Sequence, residues 1–242
     1  MGIVNATPDS FSDGGRFADL DAGVAGALRL IAEGADWLDV GGESTRPGAT
    51  PVAEAEEMAR VVPLIAAIRA AAAIPISVDT MKPSVAQAAM AAGATMWNDV
   101  TALSGAPGSL DTAVKLGCDI VLTHMRGEPA TMQQDPRYED VVEEVVEFLG
   151  ARAEAAETAG VARGRIWVDP GIGFGKTADH SLALLSALGR IADLGFPVLL
   201  GASRKGVIRA VDPMAIGPGD RLGGSLAAAL AGARAGAAMV RV

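Results

Sequence analysis

The sequence contains very few of the side chains on which disulfide bonds and zinc sites depend. It has one cysteine, Cys118, and two histidines, His124 and His180, among 242 residues. A single cysteine cannot form an internal disulfide bond, and these three side chains cannot complete a four-ligand structural zinc site. Cys118 lies in the apolar run KLGCDIVLTH, where we expect a small buried side chain. The sequence therefore predicts neither a disulfide nor a zinc site.

Basic residues are also fewer than acidic ones, 20 against 29. The formal net charge is −9, which argues against nucleic acid or an anionic membrane as the general partner. No secretory signal is visible, because no basic segment precedes an apolar run and a cleavage site. The Ala-rich run at residues 225–240 contains Arg234 and is too short to span a bilayer. We expect a cytoplasmic protein that binds no nucleic acid and no membrane.

Two common active-site signatures are missing, and no break divides the chain. A G-x-G-x-x-G fingerprint does not open the first predicted helix, and a G-x-S-x-G hydrolase elbow does not occur. Half of the residues are apolar, which is ample for a buried core. Because neither a Ser/Pro-rich linker nor a charge block interrupts the sequence, we predict one domain over residues 1–242.

What the sequence does contain is a repeated rhythm of apolar run, Gly-rich loop and Ala-rich helical stretch. Eight continuous apolar runs suit parallel strands buried on both faces; they begin near residues 1, 37, 74, 95, 119, 165, 196 and 237. Seven helical stretches separate them, near residues 20–33, 52–72, 83–92, 109–116, 138–159, 179–193 and 220–235. We expect Asp179 and Asp220 to be the N-caps of the last two. We predict an α/β fold, a (β/α)8 TIM barrel, over a doubly wound sheet. The barrel looks truncated at the first strand and without a last helix, so we expect an uncovered outer face there.

Polar side chains follow the predicted strands, at the barrel end where active sites lie. Asp79 and Asp169 each end an apolar run, and Asn98 ends another. Two carboxylates and a carboxamide in one pocket suit a ligand with several N–H donors and a ring carbonyl. The edge of a 2-amino-4-oxo pterin has this pattern, and a guanine or a cationic amine would also fit.

Cationic and hydroxyl groups share these loops. The candidates for binding a phosphate or pyrophosphate are Ser44, Thr45, Arg46, Arg204, Lys205 and Arg241. Gly41 and Gly42 allow close approach of the backbone to such a ligand. A hard ion such as Mg²⁺ could be held by one side-chain oxygen, that of Asn5, together with ligand phosphates and water. The DPGIGFGK loop is expected to bring Phe174 and Lys176 near the barrel mouth.

Several of these segments, taken in order, resemble one enzyme family. They are MGIVNATPDSFSDGG, DVGGESTRPGA, SVDT, NDV, THMRGEPATMQ, DPGIGFGK, GASRKG and the closing RV. Together they resemble the dihydropteroate synthase family from residue 1 to residue 242. The resemblance implies a transferase of folate biosynthesis. Such enzymes condense 6-hydroxymethyl-7,8-dihydropterin pyrophosphate with 4-aminobenzoate, giving 7,8-dihydropteroate and pyrophosphate.

The resemblance also implies roles for individual residues. Pterin binding is implied for Asp79, Asn98, Asp169 and Lys205. Pyrophosphate binding is implied for Asn5, Thr45 and Arg241, with Mg²⁺ near Asn5. The aminobenzoate side, where sulfonamides compete, is implied for Thr45, Arg46, Pro47, Phe174 and Ser203. The implied catalytic residues are Asp79, Lys205 and Arg46.

The implied mechanism is dissociative, because pyrophosphate leaves before the aniline nitrogen attacks. We expect the loops at residues 6–18 and 43–50 to be mobile without substrates and to order when both bind. The resemblance also implies a homodimer for a full-length chain. Two alternatives share the pterin pocket: a non-catalytic pterin-binding paralogue, and the pterin-binding barrel of a corrinoid methyltransferase. The methyltransferase does not bind pyrophosphate, so the predicted pyrophosphate site argues against this second alternative.

Overall fold

Strands and helices alternate along the chain in the computed structural model, which describes residues 1–6, 15–46 and 48–242, with the backbone alone at 15–19. The strands are β1 Gly2–Asn5, β2 Leu38–Gly41, β3 Ile76–Asp79, β4 Met96–Asp99, β5 Asp119–Thr123, β6 Ile166–Asp169, β7 Val198–Leu200 and β8 Ala237–Val240. The helices are α1 Gly15–Ala32, α2 Glu54–Ala71, α3 Pro83–Ala91, α4 Ser109–Leu116, α5 Val141–Ala159, α6 Ala178–Ser186, α7 Leu188–Ala192, α8 Val207–Val211 and α9 Leu222–Arg234.

The strands are ordered β1 to β8 in the sheet, as they are in the sequence. The strand pairs with a described register are all parallel. This order and direction confirm the predicted (β/α)8 class. The chain forms two compact units, Met1–Thr45 with Ala49–Ile120 and Arg46–Gly48 with Val121–Val242. The single domain expected over residues 1–242 stays a prediction.

In the first unit the strand register aligns the ends of four strands. Asn5 pairs with Gly41, Gly41 with Asp79, and Asp79 with Asn98. The residues of β2, β3 and β4 are buried at every position, which explains why these strands read as continuous apolar runs. The polar residues that end them therefore lie side by side at one edge.

In the second unit β7 pairs with β6 and β8, and helices pack around these strands. The longest of them, α5, begins at an Asp140 N-cap whose carboxylate accepts hydrogen bonds from the backbone amides of Val142 and Glu143. Its buried face includes Val145 and Leu149. Cys118, which lies in the first unit, is buried as predicted.

Some helix boundaries differ from the sequence prediction. α1 begins at residue 15, so part of the loop expected at 6–18 is helical, whereas residues 7–14 lie outside the described residues. The N-cap of α6 is Thr177, because its hydroxyl accepts a hydrogen bond from the His180 amide. In return, His180 Nδ1 accepts a hydrogen bond from the Thr177 amide, which completes a capping box. Asp179 is therefore not the cap. The predicted helix 179–193 is divided into α6 and α7, and α8 was not predicted.

The C-terminal helix also starts later than predicted. Asp220 accepts a hydrogen bond from the Gly217 amide at 2.9 Å and stabilises a 3₁₀ turn, Pro218–Arg221. α9 follows from Leu222 without a side-chain cap.

The outer strands are less buried than the inner ones. Ile3 of β1 and Val240 of β8 are half-buried, and Ala238 is exposed. The uncovered outer face expected there stays a prediction. Among the described residues, no helix is both long and apolar enough to cross a membrane.

Candidate active site

The polar edge of the first unit contains a buried pair, Asp39 and Asn98. The Asn98 side-chain amide donates a hydrogen bond to Asp39 Oδ2 at 3.2 Å. The two residues are 0% and 4% exposed. Because a carboxylate only accepts hydrogen bonds, the Asn98 NH₂ group must face Asp39. Asn98 Oδ1 accepts no hydrogen bond from the described residues, so it is an oriented acceptor for an N–H donor of a ligand.

Asp79 lies next to this pair. It is the last residue of β3 and is the register neighbour of both Gly41 and Asn98. A methyl group at Gly41 would lie 3.5 Å from the Asp79 Cβ, which is ordinary contact. Asp79 is buried but keeps 8% of its surface exposed to solvent. A carboxylate and an oriented amide oxygen therefore lie on neighbouring strand ends.

The polar edge of the second unit is centred on Asp169, the last residue of β6. Its Oδ1 accepts a hydrogen bond from the Gly171 amide at 2.7 Å. Burial raises the pKa of Asp169, and the nearby Lys205 ammonium, the Gly171 amide and the Arg241 guanidinium oppose that rise. The carboxylate therefore needs its cationic neighbours to stay ionised.

Lys205 connects this carboxylate to an aromatic ring. Its ammonium donates a hydrogen bond to the Ile172 carbonyl and lies 4.5 Å from the centre of the Phe174 ring. Gly201 adjoins both charges, because a Cβ there would lie 3.8 Å from Asp169 Oδ2 and 3.9 Å from Lys205 Nζ. An anion, a cation and an aromatic face are therefore grouped in the second unit.

Two glycines let the DPGIGFGK loop lie against the backbone that follows β5. Gly171 and Gly175 have φ values of +66° and +60°. A Cβ would lie 1.9 Å from the His124 carbonyl oxygen at Gly171 and 2.2 Å from the Arg126 carbonyl oxygen at Gly175. Neither conformation nor space accepts a side chain. The loop position that carries Phe174 is therefore fixed by close backbone packing.

Lys176, in the same loop, has a buried side chain that contacts the residue after β5. Its amine is buried and lies 2.8 Å from His124 Nδ1, and it donates to the carbonyl oxygens of His124 and Phe174. Burial lowers the pKa of Lys176 to about 7, although Asp169 opposes this. Burial and the Lys176 charge lower the pKa of His124 to about 3. No pattern in the sequence predicts this pair.

The other predicted site residues lie at the surface or partly exposed. Asn5 and Arg46 are exposed, and Thr45, Phe174, Ser203 and Arg241 are half-buried. Pro47 lies outside the described residues. The first unit thus contains Asn5, Thr45, Asp79 and Asn98, and the second contains Arg46, Asp169, Phe174, Ser203, Lys205 and Arg241. Within the described ranges, no group of three or more His, Cys, Asp or Glu side chains is placed to hold a metal ion.

The chain is similar over its whole length to proteins of one known family. Residues 1–242 match the family described as pterin binding enzyme. The dihydropteroate synthases of Escherichia coli (strain K12) and Haemophilus influenzae are 44% and 43% identical over all 242 residues, which cover 85% and 87% of those proteins. A structure of Xanthomonas albilineans dihydropteroate synthase with 4-aminobenzoic acid is 51% identical, with a TM-score of 0.93 over 100% of this chain and 85% of that one. The chain therefore belongs to the pterin-binding enzyme family and, within it, to the dihydropteroate synthases.

Proposed function

We infer that this chain condenses 6-hydroxymethyl-7,8-dihydropterin pyrophosphate with 4-aminobenzoate, giving 7,8-dihydropteroate and pyrophosphate. The observation that carries the inference is the oriented acceptor of Asn98 beside the Asp79 carboxylate, at the carboxyl ends of adjacent strands. Solved relatives contain both sides of the reaction. One Xanthomonas albilineans structure holds 7,8-dihydropteroate, at 47% identity and a TM-score of 0.89 over 100% of this chain and 86% of that one.

We propose that Asp79, Asn98, Asp169 and Lys205 bind the pterin ring. The carboxylates would accept hydrogen bonds from the ring N–H and amino groups. Asn98 Oδ1 would accept one more, because its NH₂ group already faces Asp39. Lys205 would donate to a ring acceptor such as the carbonyl oxygen.

We propose that Asn5, Thr45 and Arg241 bind the pyrophosphate. The guanidinium and the hydroxyl suit phosphate oxygens. Mg²⁺ would neutralise part of the pyrophosphate charge, and the amide oxygen of Asn5 is a hard donor that fits it. Because the described residues offer no carboxylate cluster, the substrate's phosphates and water would have to supply most of the coordination.

The aminobenzoate side is proposed for Thr45, Arg46, Pro47, Phe174 and Ser203. Arg46 is exposed, and its guanidinium suits the carboxylate of such a substrate. Phe174 offers a ring face, already in contact with Lys205, against which a second aromatic ring could pack. A Yersinia pestis relative binds a sulfonamide drug, and we propose that the same drug class competes here.

In the proposed mechanism, pyrophosphate leaves first and the aniline nitrogen attacks the resulting pterin methylene cation. Cationic groups at the anion site stabilise the leaving charge. Asp79 stabilises the positive charge that develops on the ring. No strong general base is needed, because the nitrogen attacks a cation. Asp79, Lys205 and Arg46 are the proposed catalytic residues.

The test is pyrophosphate release when the chain is mixed with the pterin pyrophosphate, 4-aminobenzoate and Mg²⁺. We expect release that depends on both substrates and is inhibited by a sulfonamide. Pterin binding without release would instead favour a non-catalytic paralogue. Methyl transfer from a pterin to a corrinoid, without pyrophosphate release, would favour the methyltransferase alternative. The cytoplasmic location stays a prediction from the sequence.

A homodimer is also proposed. Leu222, Leu226 and Leu230 recur every four residues on α9 and are all more than half exposed, so they form an apolar stripe suited to contact with a partner. Sedimentation of the wild type and of Leu226→Lys tests this. A wild type that is monomeric at all concentrations would contradict it.

A further inference from the structure

A cluster of three charged side chains lies at the base of the loop that follows β2. It consists of Glu43, Glu57 of α2 and Lys82, and we call it the Lys82 cluster. The Lys82 ammonium donates hydrogen bonds to both carboxylates and, at 2.8 Å, to the carbonyl oxygen of Val52. The Glu57 side chain is fully buried and that of Glu43 is 7% exposed. All four residues belong to the first unit.

The Lys82 cluster holds both ends of the segment from residue 43 to residue 52. At one end Glu43 belongs to the cluster itself. At the other end Val52 is held twice, since its amide donates to Glu43 Oε1 at 3.2 Å and its carbonyl accepts from Lys82. The segment between these ends includes Thr45 and Arg46, for which substrate contacts are proposed.

The entry to this loop is fixed by two further contacts. Arg60 of α2 donates a hydrogen bond to the Gly42 carbonyl at 2.7 Å. A Cβ at Gly42 would lie 2.7 Å from Val61 Cγ1, so the backbone packs directly on α2. The loop therefore begins and ends on a rigid base.

The charges of the Lys82 cluster are costly to bury. Burial raises the pKa of Glu57, and the hydrogen bond with Lys82 opposes that rise. Burial alone would lower the pKa of Lys82, but its hydrogen bonds with Glu43 and Glu57 raise that pKa above its ordinary value. Lys82 is therefore an ammonium at neutral pH. Buried ion pairs are often no more stabilising than apolar side chains of the same size, so global stability alone is a weak explanation for three charges here.

We propose that Lys82, together with Glu43 and Glu57, is a positioning group that fixes the loop of residues 43–52 for the second substrate, a small aromatic carboxylate. This rests on the proposed function, which assigns Thr45 and Arg46 of that loop to the aminobenzoate side. Lys82 touches no substrate in this proposal. Its effect is to hold the loop ends so that the side chains between them approach the substrate in one geometry.

The experiment compares Lys82→Met, Lys82→Arg and Glu43→Gln with a matched control, Lys115→Met, whose lysine is exposed on α4. Each variant is assayed for KM and kcat with 4-aminobenzoate, for calorimetric affinity for the pterin pyrophosphate, and for hydrogen exchange of residues 43–52. We expect Lys82→Met to raise the KM for 4-aminobenzoate roughly tenfold and to speed exchange in that segment. Pterin affinity should stay unchanged, Lys82→Arg should recover part of the loss, and the control should match the wild type.

The outcomes separate the proposal from the function on which it rests. An active wild type together with a Lys82→Met variant of unchanged KM and unchanged exchange would overturn the positioning role. Equal losses of pterin and aminobenzoate binding would also overturn it, because they would indicate general damage to the fold. If Lys82→Met does not fold, Glu43→Gln decides in the same way, since it removes one charge and leaves the ammonium in place. A wild type that releases no pyrophosphate would contradict the proposed function. The hydrogen exchange of residues 43–52 would still decide whether the Lys82 cluster holds the loop.

Discussion

The side-chain amide of Asn98 donates a hydrogen bond to the carboxylate of Asp39, a residue 59 positions earlier in the chain. This contact settles which way the Asn98 amide faces, because only its NH₂ group can donate to a carboxylate. Asp39 itself was not among the residues to which the family resemblance gave a role. It orients the Asn98 side chain, for which pterin binding is proposed.

Replacing Asp39 should therefore weaken pterin binding. In Asp39→Ala the Asn98 NH₂ group is left buried without this acceptor and is free to turn. We expect a loss of about 1–3 kcal/mol, measured by calorimetry with the pterin pyrophosphate. Asp39→Asn should lose less, since an amide oxygen can still accept, and the exposed Asp21→Ala serves as control. Wild-type affinity in both Asp39 variants would contradict the orienting role.

A second prediction concerns Asp79, which is proposed to contact the ring directly. Asp79→Ala removes a charge-assisted hydrogen bond and leaves a ring donor without an acceptor. The expected cost is about 2–4 kcal/mol in transition-state binding, roughly 30- to 1000-fold in kcat/KM for the pterin substrate. Asp111→Ala, at an exposed position of α4, should have wild-type kinetics. Unchanged kinetics for Asp79→Ala would remove Asp79 from the site.

The polar strand ends could be read from the sequence because each follows an unbroken apolar run. Asp79, Asn98 and Asp169 end β3, β4 or β6 within one residue, and the parallel pairing of β3 with β4 places Asp79 beside Asn98. The (β/α)8 class followed from the same runs. The alternation of buried strand and helix therefore carries both the fold and the first candidates for the site.

The supporting contacts could not be read in this way. Lys82 forms a hydrogen bond with Glu43, which is 39 residues away in the sequence, and Lys176 forms one with His124, which is 52 residues away. Such pairs depend on side-chain direction and on loop paths, which have no periodic pattern. The N-cap of α6 was misread for a similar reason, since both Thr177 and Asp179 are good caps and the backbone path chooses between them.

A third prediction tests the close packing of the DPGIGFGK loop. In Gly171→Ala the new methyl group would collide with the His124 carbonyl oxygen at a backbone conformation that suits glycine. Left-handed strain and overpacking together should lower the free energy of unfolding by about 2–5 kcal/mol. Gly189→Ala, in α7 with no atom within 4 Å of the new Cβ, should instead stabilise by about 0.5–1 kcal/mol.

Urea unfolding followed by circular dichroism measures both changes. Equal midpoints for the two Gly→Ala variants would show that the loop moves away from His124 at no cost. The catalytic consequence is separable, because Phe174 lies between Gly171 and Gly175. A folded Gly171→Ala protein should show a raised KM for 4-aminobenzoate.

The last prediction follows from the buried pair His124 and Lys176. The pKa of Lys176 is about 7 in the folded protein and 10.5 ordinarily, so between these pH values the unfolded chain binds more protons than the folded one. The contribution of Lys176 to stability must therefore rise with pH across that window, fall as pH drops from 10.5 towards 7, and change no further below it. His124 acts in the same direction at lower pH. With a pKa of about 3 against an ordinary 6.5, it costs stability as pH falls from 6.5 towards 3.

Lys176→Met isolates the lysine contribution, because the other titrating groups are common to both proteins and methionine fills a similar volume. We expect the difference in unfolding free energy, wild type minus variant, to increase by roughly 1 kcal/mol per pH unit between pH 7 and pH 10. Urea titrations at pH 7, 8 and 9 measure the difference. A difference that stays constant over this range would mean that the pKa of Lys176 in the folded protein is at or above its ordinary value. That result would contradict a buried neutral amine held against His124.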